Sequence, residues 1–344
     1  MKKLLNILKY VLLLAFSAVL MRYAVRGQDL SLVGRYMREA NYFWLGITMM
    51  LSALGYFSRA YRWKMQLDAT NAKQTATYWD VYHAMMVGYL ANMVLPRMGE
   101  VIRCSVLRRT SGVPVQVALG SVITERVIDV LVLLCLIGAT VLVDFRRFRE
   151  FVLSLFSDKY DSLARSQQTI LVAGGLLLLI GLITLYVLYR NLERLRQLAL
   201  FNKMERFVRG LLDGVFSIRK LAHPGLFLLH TLFTWLVYYL MDYLAFFAFP
   251  ETAQLGMAAG LGVLTFGAIG MATPVQGGIG AFHLMVQSTL LVYGISKEAG
   301  IAYALVVHGS QTLLVVLMGG ISFVASMVKS GRTAQPLAAG NQPG

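Results

Sequence analysis

Three short stretches set chemically capable side chains in apolar surroundings. In "NMVLPRMGEVIRC", residues 92–104, Pro96 is followed at once by Arg97, Gly99, Glu100 and Arg103. In "VITERVIDVLVLL", Glu125, Arg126 and Asp129 interrupt a run that otherwise reads as a membrane helix. In "TPVQGGIGAFH", residues 273–283, Pro274, Gln276, Gly277, Gly278, Gly280 and His283 supply turn formers and neutral hydrogen-bonding groups, and His308 follows in the next helix.

Guanidinium groups pair with phosphate through two parallel N–H donors, and a carboxylate can orient them. On a helix that starts after Pro96, Arg97, Glu100, Cys104 and Arg108 share a face and Arg103 turns away. Two readings stand side by side. Either this is an interfacial helix with local Arg97–Glu100 and Glu100–Arg103 pairs, or a turn carries the charges into a water-filled cavity where they bind lipid phosphate. Glu125 and Asp129 share a face at i,i+4, and Arg126 can meet Asp129 at i,i+3. Charges inside a span are costly and face a partner or a cavity, so Arg97 or Arg103 is the expected partner; a self-neutralising triad at the membrane edge is the alternative. His283 and His308 lie in uncharged helices, where a cavity role and a hydrogen-bonded core role are both open. His83, His223 and His230 read as interfacial or packed. No spacing suggests a metal site or a P-loop, and "QGGIGAF" lacks the strand and acidic residue of a dinucleotide fingerprint, so neither metal nor cofactor is expected.

These residues need elements to hold them. The chain has 344 residues, 57% hydrophobic and 14% charged, with mean hydropathy +0.63, which marks a multi-pass membrane protein. Stretches 40–58, 166–189, 221–241, 252–296 and 299–328 contain no Asp, Glu, Lys or Arg, and each is long enough to cross about 30 Å of hydrocarbon. They do not alternate apolar and polar residues, which excludes a β-barrel. The net charge of +15 is spread over short loops, so it signals topology and lipid-headgroup contact rather than nucleic acid. Cys104 and Cys135 are too few for a disulfide framework. The apolar N-terminus lacks a clear cleavage site and reads as a retained first helix.

Lys2, Lys3 and Lys9 set the N-terminus in the cytoplasm, a first span covers about 5–24, and a second of about 42–60 returns through a short loop to the basic "RAYRWK" at 59–64. The 190–220 segment carries eight basic and three acidic residues and reads as cytoplasmic, the loop at Glu251 reads as external, and Lys329 and Arg332 place the C-terminus inside. The 144–165 loop fits poorly, because it must lie outside yet holds five basic residues. Residues 81–110 and 255–293 are each two apolar arms split by proline or glycine, and each precedes a long helix. The expectation is an all-α polytopic membrane protein with about six spanning helices and two broken or re-entrant hairpins in an inverted-repeat-like arrangement. One transmembrane domain covers 1–328, and a flexible cytoplasmic tail covers 329–344.

At "NMVLPRMGEVIRC", "ITERVIDVLVL" and "TPVQGGIGAFH" the chain resembles the transmembrane region of lysylphosphatidylglycerol synthases, a flippase-like family, from about residue 42 to 327. The family often carries an acidic residue where His283 stands, so this chain departs from that pattern. The resemblance implies lipid translocation, with aminoacylated phosphatidylglycerol as the best-known cargo. Because the chain ends in a short tail, no aminoacyl-transfer domain is expected in it. The function expected is therefore a flippase or transporter for an anionic or zwitterionic phospholipid headgroup, not an enzyme, in a cytoplasmic membrane (the inner membrane in a bacterium). Its substrate-binding residues would be Arg97, Glu100, Arg103, Glu125, Arg126, Asp129, Gln276, Gly277, Gly278, His283 and His308, with Pro96, Gly99, Pro274 and Gly280 forming the turns. Its partners would be membrane phospholipids and a separately encoded lipid-modifying enzyme. An intramembrane enzyme using Glu100, Glu125 or Asp129 as acid or base, and a non-transporting partner of a synthase, are the competing readings.

Overall fold

The computed structural model describes residues 2–70, 76–147 and 221–339. The span expected at 166–189 and the loop at 190–220 lie outside the described residues. Helix α1 covers Lys2–Val25, α2 Leu30–Glu39, α3 Tyr42–Asp68, α4 Tyr78–Val94, α5 Gly99–Ser111, α6 Val115–Val143, α7 Pro224–Ala245, α8 Met257–Ala272, α9 Ala281–Val292 and α10 Lys297–Ala339. No strand occurs among the described residues. Residues Val115–Val143, Pro224–Ala248 and Lys297–Ser330 are each long and apolar enough to cross a membrane.

Local chemistry sets the helix ends. The Asp29 carboxylate accepts from the backbone N–H groups of Ser31 and Leu32 and starts α2, so the loop expected after the first span is itself a capped helix. Thr77 and Asp80 form a reciprocal capping box at the start of α4. Gly112, left-handed at φ 72°, ends α5, and Pro224 opens α7 in its first turn. Two expected boundaries move. α3 continues past residue 60 to Asp68, with Arg59 and Arg62 buried inside it. α10 continues as helix to Ala339 where a tail was expected after 328; at this boundary Lys329 Nζ is drawn to Asp80 Oδ1 at 2.6 Å.

Each broken segment is a helical hairpin. α4 and α5 pack along each other, as do α8 and α9. Glycine permits both close approaches. A Cβ on Gly99 would sit 2.3 Å from the Gly88 carbonyl oxygen, and one on Gly270 2.7 Å from the Phe282 Cα. The first arm of each hairpin also packs on the long helix that follows the other hairpin, α4 on α10 and α8 on α6, while each second arm packs on its own long helix. α3 and α7 cross between the hairpins. Ser52 meets Met241, Gly55 faces Val237, Ser58 meets Thr234 and Arg62 meets Thr231. Residue numbers rise along one helix as they fall along the other, so the two are antiparallel.

Gly99→Ala should lower stability by about 1–3 kcal/mol, the usual cost of forcing atoms into a filled contact. Gly120→Ala, with nothing within 4 Å of the new Cβ, should change little. Thermal unfolding of the detergent-solubilised protein compares the two.

Candidate functional site

The polar stripe of α3 is the foundation of the site. Thr48, Ser52, Gly55, Arg59, Arg62 and Gln66 recur at three- and four-residue intervals on one side of the helix, and all are buried. Arg59 and Arg62 reach across to α6. Glu125, with no solvent exposure, accepts from Arg59 Nη2 and Arg62 Nη2 through Oε1, each at 2.9 Å, and from Arg103 Nη2 through Oε2 at 3.0 Å. Asp129, one turn on, accepts from Arg62 at 2.7 Å and Arg59 at 3.4 Å. Arg126 lies nearer the edge, 3.0 Å from Glu100 and 3.8 Å from Asp129.

Aromatic rings wall the cluster. The Arg103 guanidinium lies 4.4 Å from the centre of the Trp63 ring, whose Nε1–H is anchored on Ser121 Oγ at 2.8 Å. Arg59 lies 5.6 Å from the Tyr89 ring and donates to the Tyr238 hydroxyl at 3.0 Å. Arg62 lies 5.9 Å from the Phe227 ring. Four guanidinium groups, of Arg59, Arg62, Arg103 and Arg126, thus face three carboxylates, of Glu100, Glu125 and Asp129. The cluster carries one surplus positive charge. Its buried donors are also incompletely used, since Nε of Arg59, Arg62, Arg103 and Arg126 and Nη1 of Arg103 have no partner.

Arg103, one of the two partners expected for the α6 carboxylates, pairs with Glu125, while Glu100 pairs with Arg126, Cys104 is buried and Arg108 is exposed. One expectation about this region changes. Arg59 and Arg62, which read as a cytoplasmic signal, are the principal partners of Glu125 and Asp129. Their three-residue spacing in line with Ser52 and Gly55 is the signal that could have revealed them.

The second hairpin does different work. Gly277, Gly278 and Gly280 have φ of 55°, 80° and 83°, the left-handed region that glycine enters at little cost. The Gln276 side chain accepts from Ser17 of α1 at 2.9 Å, the Gly277 carbonyl oxygen pairs with His308 Nε2 at 2.9 Å, and the Gly280 N–H donates to His283 Nδ1 at 3.2 Å. The His283 and His308 rings pack 4.9 Å apart. None of these hydrogen bonds reaches the arginine cluster. The turn of the first hairpin, Leu95 to Met98, touches the second hairpin instead: Arg97, left-handed at φ 64°, donates to the Ala272 carbonyl at the end of α8. Pro96 and Gly99 are buried behind it, and the Gly99 N–H donates to the Asn92 side chain at 2.7 Å.

A family model for the lysylphosphatidylglycerol synthase TM region matches residues 9–319. The chain belongs to that family. The match takes in both hairpins and the cluster and ends about midway along α10, and it agrees with the resemblance carried by the three motifs. Comparison with curated proteins and with solved structures returns no match. This family member is accordingly a multi-pass helical membrane protein whose most polar interior point, among the described residues, is the arginine cluster.

Glu125→Gln should be the most damaging single change in the cluster. It removes a charge shared by three buried guanidinium groups and should cost about 3–5 kcal/mol of stability. Glu100→Gln, on the half-exposed pair with Arg126, should cost less than about 1 kcal/mol. Unfolding temperatures of the two variants in one detergent check the ranking.

Proposed function

We propose that this protein carries a phospholipid headgroup across the membrane and that the arginine cluster is where the phosphate binds. The carrying observation is the surplus positive charge together with the unpaired buried N–H donors. A cluster built only for stability would gain from balancing its charges and filling its donors. An anionic phosphodiester would supply both the missing charge and the missing acceptors, and Arg103, with two unpaired nitrogens against the Trp63 ring, is best placed to take it. Glu125 and Asp129, which an intramembrane enzyme would need free as acid or base, are each held by two or three guanidinium groups, which favours binding over chemistry. The family name adds phosphatidylglycerol, plain or aminoacylated, as the cargo to try first. A separately encoded lipid-modifying enzyme would supply the aminoacylated form.

The hairpins read as re-entrant segments of an inverted repeat. Support comes from the reciprocal packing of α4 on α10 and α8 on α6, and from the antiparallel crossing of α3 and α7. Non-helical backbone at membrane depth is tolerated where protein or water satisfies it, and Asn92, Arg97, His283 and His308 do so at the two turns. The N- and C-termini lie in the cytoplasm in this reading, and the loop at Glu251 lies outside. A single cysteine at position 251, in a variant lacking Cys104 and Cys135, should be labelled from outside intact cells by an impermeant thiol reagent; protection there would reverse the topology.

Arg103→Ala should slow the movement of fluorescent phosphatidylglycerol in proteoliposomes by about tenfold or more, the loss expected when a charge-assisted hydrogen bond is removed. Arg59 and Arg62 still neutralise Glu125, so the folded yield should stay near that of the parent. Normal lipid movement by this variant would remove the cluster from the transport path.

A further inference from the structure

The two halves of the chain keep a common register. Tyr42 and Pro224 open α3 and α7, Gly99 and Ala281 open α5 and α9, and Val115 and Lys297 open α6 and α10. Each pair is 182 positions apart: 224 less 42, 281 less 99 and 297 less 115. Only α8, from Met257, starts about a turn early.

Contacts follow the same interval. Thr140 Oγ1 and Thr265 Oγ1 meet at 2.8 Å between α6 and α8. The positions one interval away are Ser322 and His83, whose Oγ and Nδ1 meet at 3.0 Å between α10 and α4. The close approaches within the hairpins obey it as well, Gly88 and Gly99 of the first corresponding to Gly270 and Ala281 of the second. Gly55 and Val237, also one interval apart, face each other where α3 and α7 cross. A two-fold axis relating antiparallel helices is perpendicular to them, so here it passes between these two residues and across the helix direction.

The register gives three members of the arginine cluster polar or sulfur-bearing counterparts near the α3–α7 crossing: Asp129 corresponds to Gln311, Arg126 to His308 and Arg59 to Met241, whereas Arg62, Arg103, Glu100 and Glu125 correspond to the apolar Leu244, Met285, Phe282 and Val307. Ser52, the counterpart of Thr234, joins two of them. The Ser52 hydroxyl touches Met241 Sδ at 3.1 Å and donates to Gln311 Oε1. Ser52 is buried, and Gln311 Nε2 is a buried donor without a partner. His308 lies one turn before Gln311 and is held to the second hairpin through the Gly277 carbonyl.

We propose that Ser52 and Gln311, flanked by His308, form a second headgroup station, the uncharged counterpart of the arginine cluster across the two-fold axis. The inference rests on the reading of the arginine cluster as a phosphate site. Ser52 precedes Arg59 by two helical turns, about 10 Å along α3 at 1.5 Å per residue, so a headgroup leaving the cluster along α3 arrives at Gln311. There Nε2–H donates to a phosphodiester oxygen. A neutral amide holds an anion less tightly than several guanidinium groups do. The first station therefore captures the phosphate and the second lets it go, which a pair of equally charged stations would not do.

The test uses the full-length protein in proteoliposomes containing fluorescent phosphatidylglycerol, with an impermeant reductant to report the lipid on the outer leaflet. Native mass spectrometry of the detergent-solubilised protein with short-chain phosphatidylglycerol reports binding, and thermal unfolding reports folding. Gln311→Leu should slow lipid movement about tenfold while phosphatidylglycerol still binds, and Gln311→Asn, which keeps an amide, should restore much of the rate. Arg103→Ala should lose binding as well as movement. If Arg103→Ala is impaired and Gln311→Leu moves lipid at the parent rate, the second station is wrong and the cluster stands. If lost movement simply follows lost thermal stability across Ser52→Ala, Gln311→Asn and Gln311→Leu, Gln311 only fastens α3 to α10 and the station is again overturned. If the parent protein neither binds nor moves phosphatidylglycerol, the phosphate reading of the cluster falls, and the second station falls with it.

Discussion

A carboxylate with no solvent exposure governs this structure. Glu125 sits on a helix long and apolar enough to span a membrane, where an isolated charge is expensive by any measure. It is tolerable because guanidinium groups converge on it, three in all. Those groups come from two other helices, so satisfying one side chain fixes the relative placement of α3, α5 and α6. Each guanidinium in turn needs a neighbour that does not compete for its charge, and the rings of Trp63, Tyr89 and Phe227 meet that need by offering their faces.

This constraint explains why the first hairpin has the shape it has. Arg103 can reach Glu125 only if α5 runs back alongside α4, because a continuous helix would carry position 103 away from α6. The reversal demands a tight approach of the two arms. Gly88 and Gly99 permit it, and the Asn92 side chain takes up the Gly99 N–H that the broken helix leaves without a helical partner. The sequence feature at first sight out of place, three charges directly after Pro96, thus separates by burial. Arg97 stays at the turn and serves the neighbouring hairpin, Glu100 pairs at the edge, and Arg103 enters the interior.

Much of this was legible in the amino-acid sequence, and the failures are instructive. Uncharged runs and the prolines at 96 and 274 were enough for an all-helical membrane protein with two hairpins, because apolar length and helix breaking are local properties. The cost of unpaired charge was enough to expect Arg126 beside Asp129 and either Arg97 or Arg103 beside the α6 carboxylates, and Arg103 is the one that pairs. What misled was counting Arg59 and Arg62 by the rule for loops. That rule looks at the sequence neighbourhood, whereas their burial depends on α7 and α6 folding over them. The equivalence of the two halves was legible only as a pattern of positions, since the sequence replaced the charges of the first half by neutral residues in the second while keeping the interval.

The polar residues of the interior divide by what their hydrogen-bonding groups do. Arg97, His283 and His308 are used at the turns. Each pairs with a backbone group that a broken helix has released, and a backbone group left buried without a partner would cost several kcal/mol. For Arg97 and His283 the turns are a sufficient explanation. No comparable demand accounts for the cluster on α3, α5 and α6. Replacing all of it with apolar side chains of similar volume would cost the fold little and could stabilise it, yet the chain keeps four arginines there and leaves five of their nitrogens unpaired. The donors that the ion pairs leave unused are the ones free for a ligand, and they all belong to positively charged groups. The surplus charge and these spare donors are what an anion would use, and that is the ground on which a lipid phosphate is proposed for the cluster.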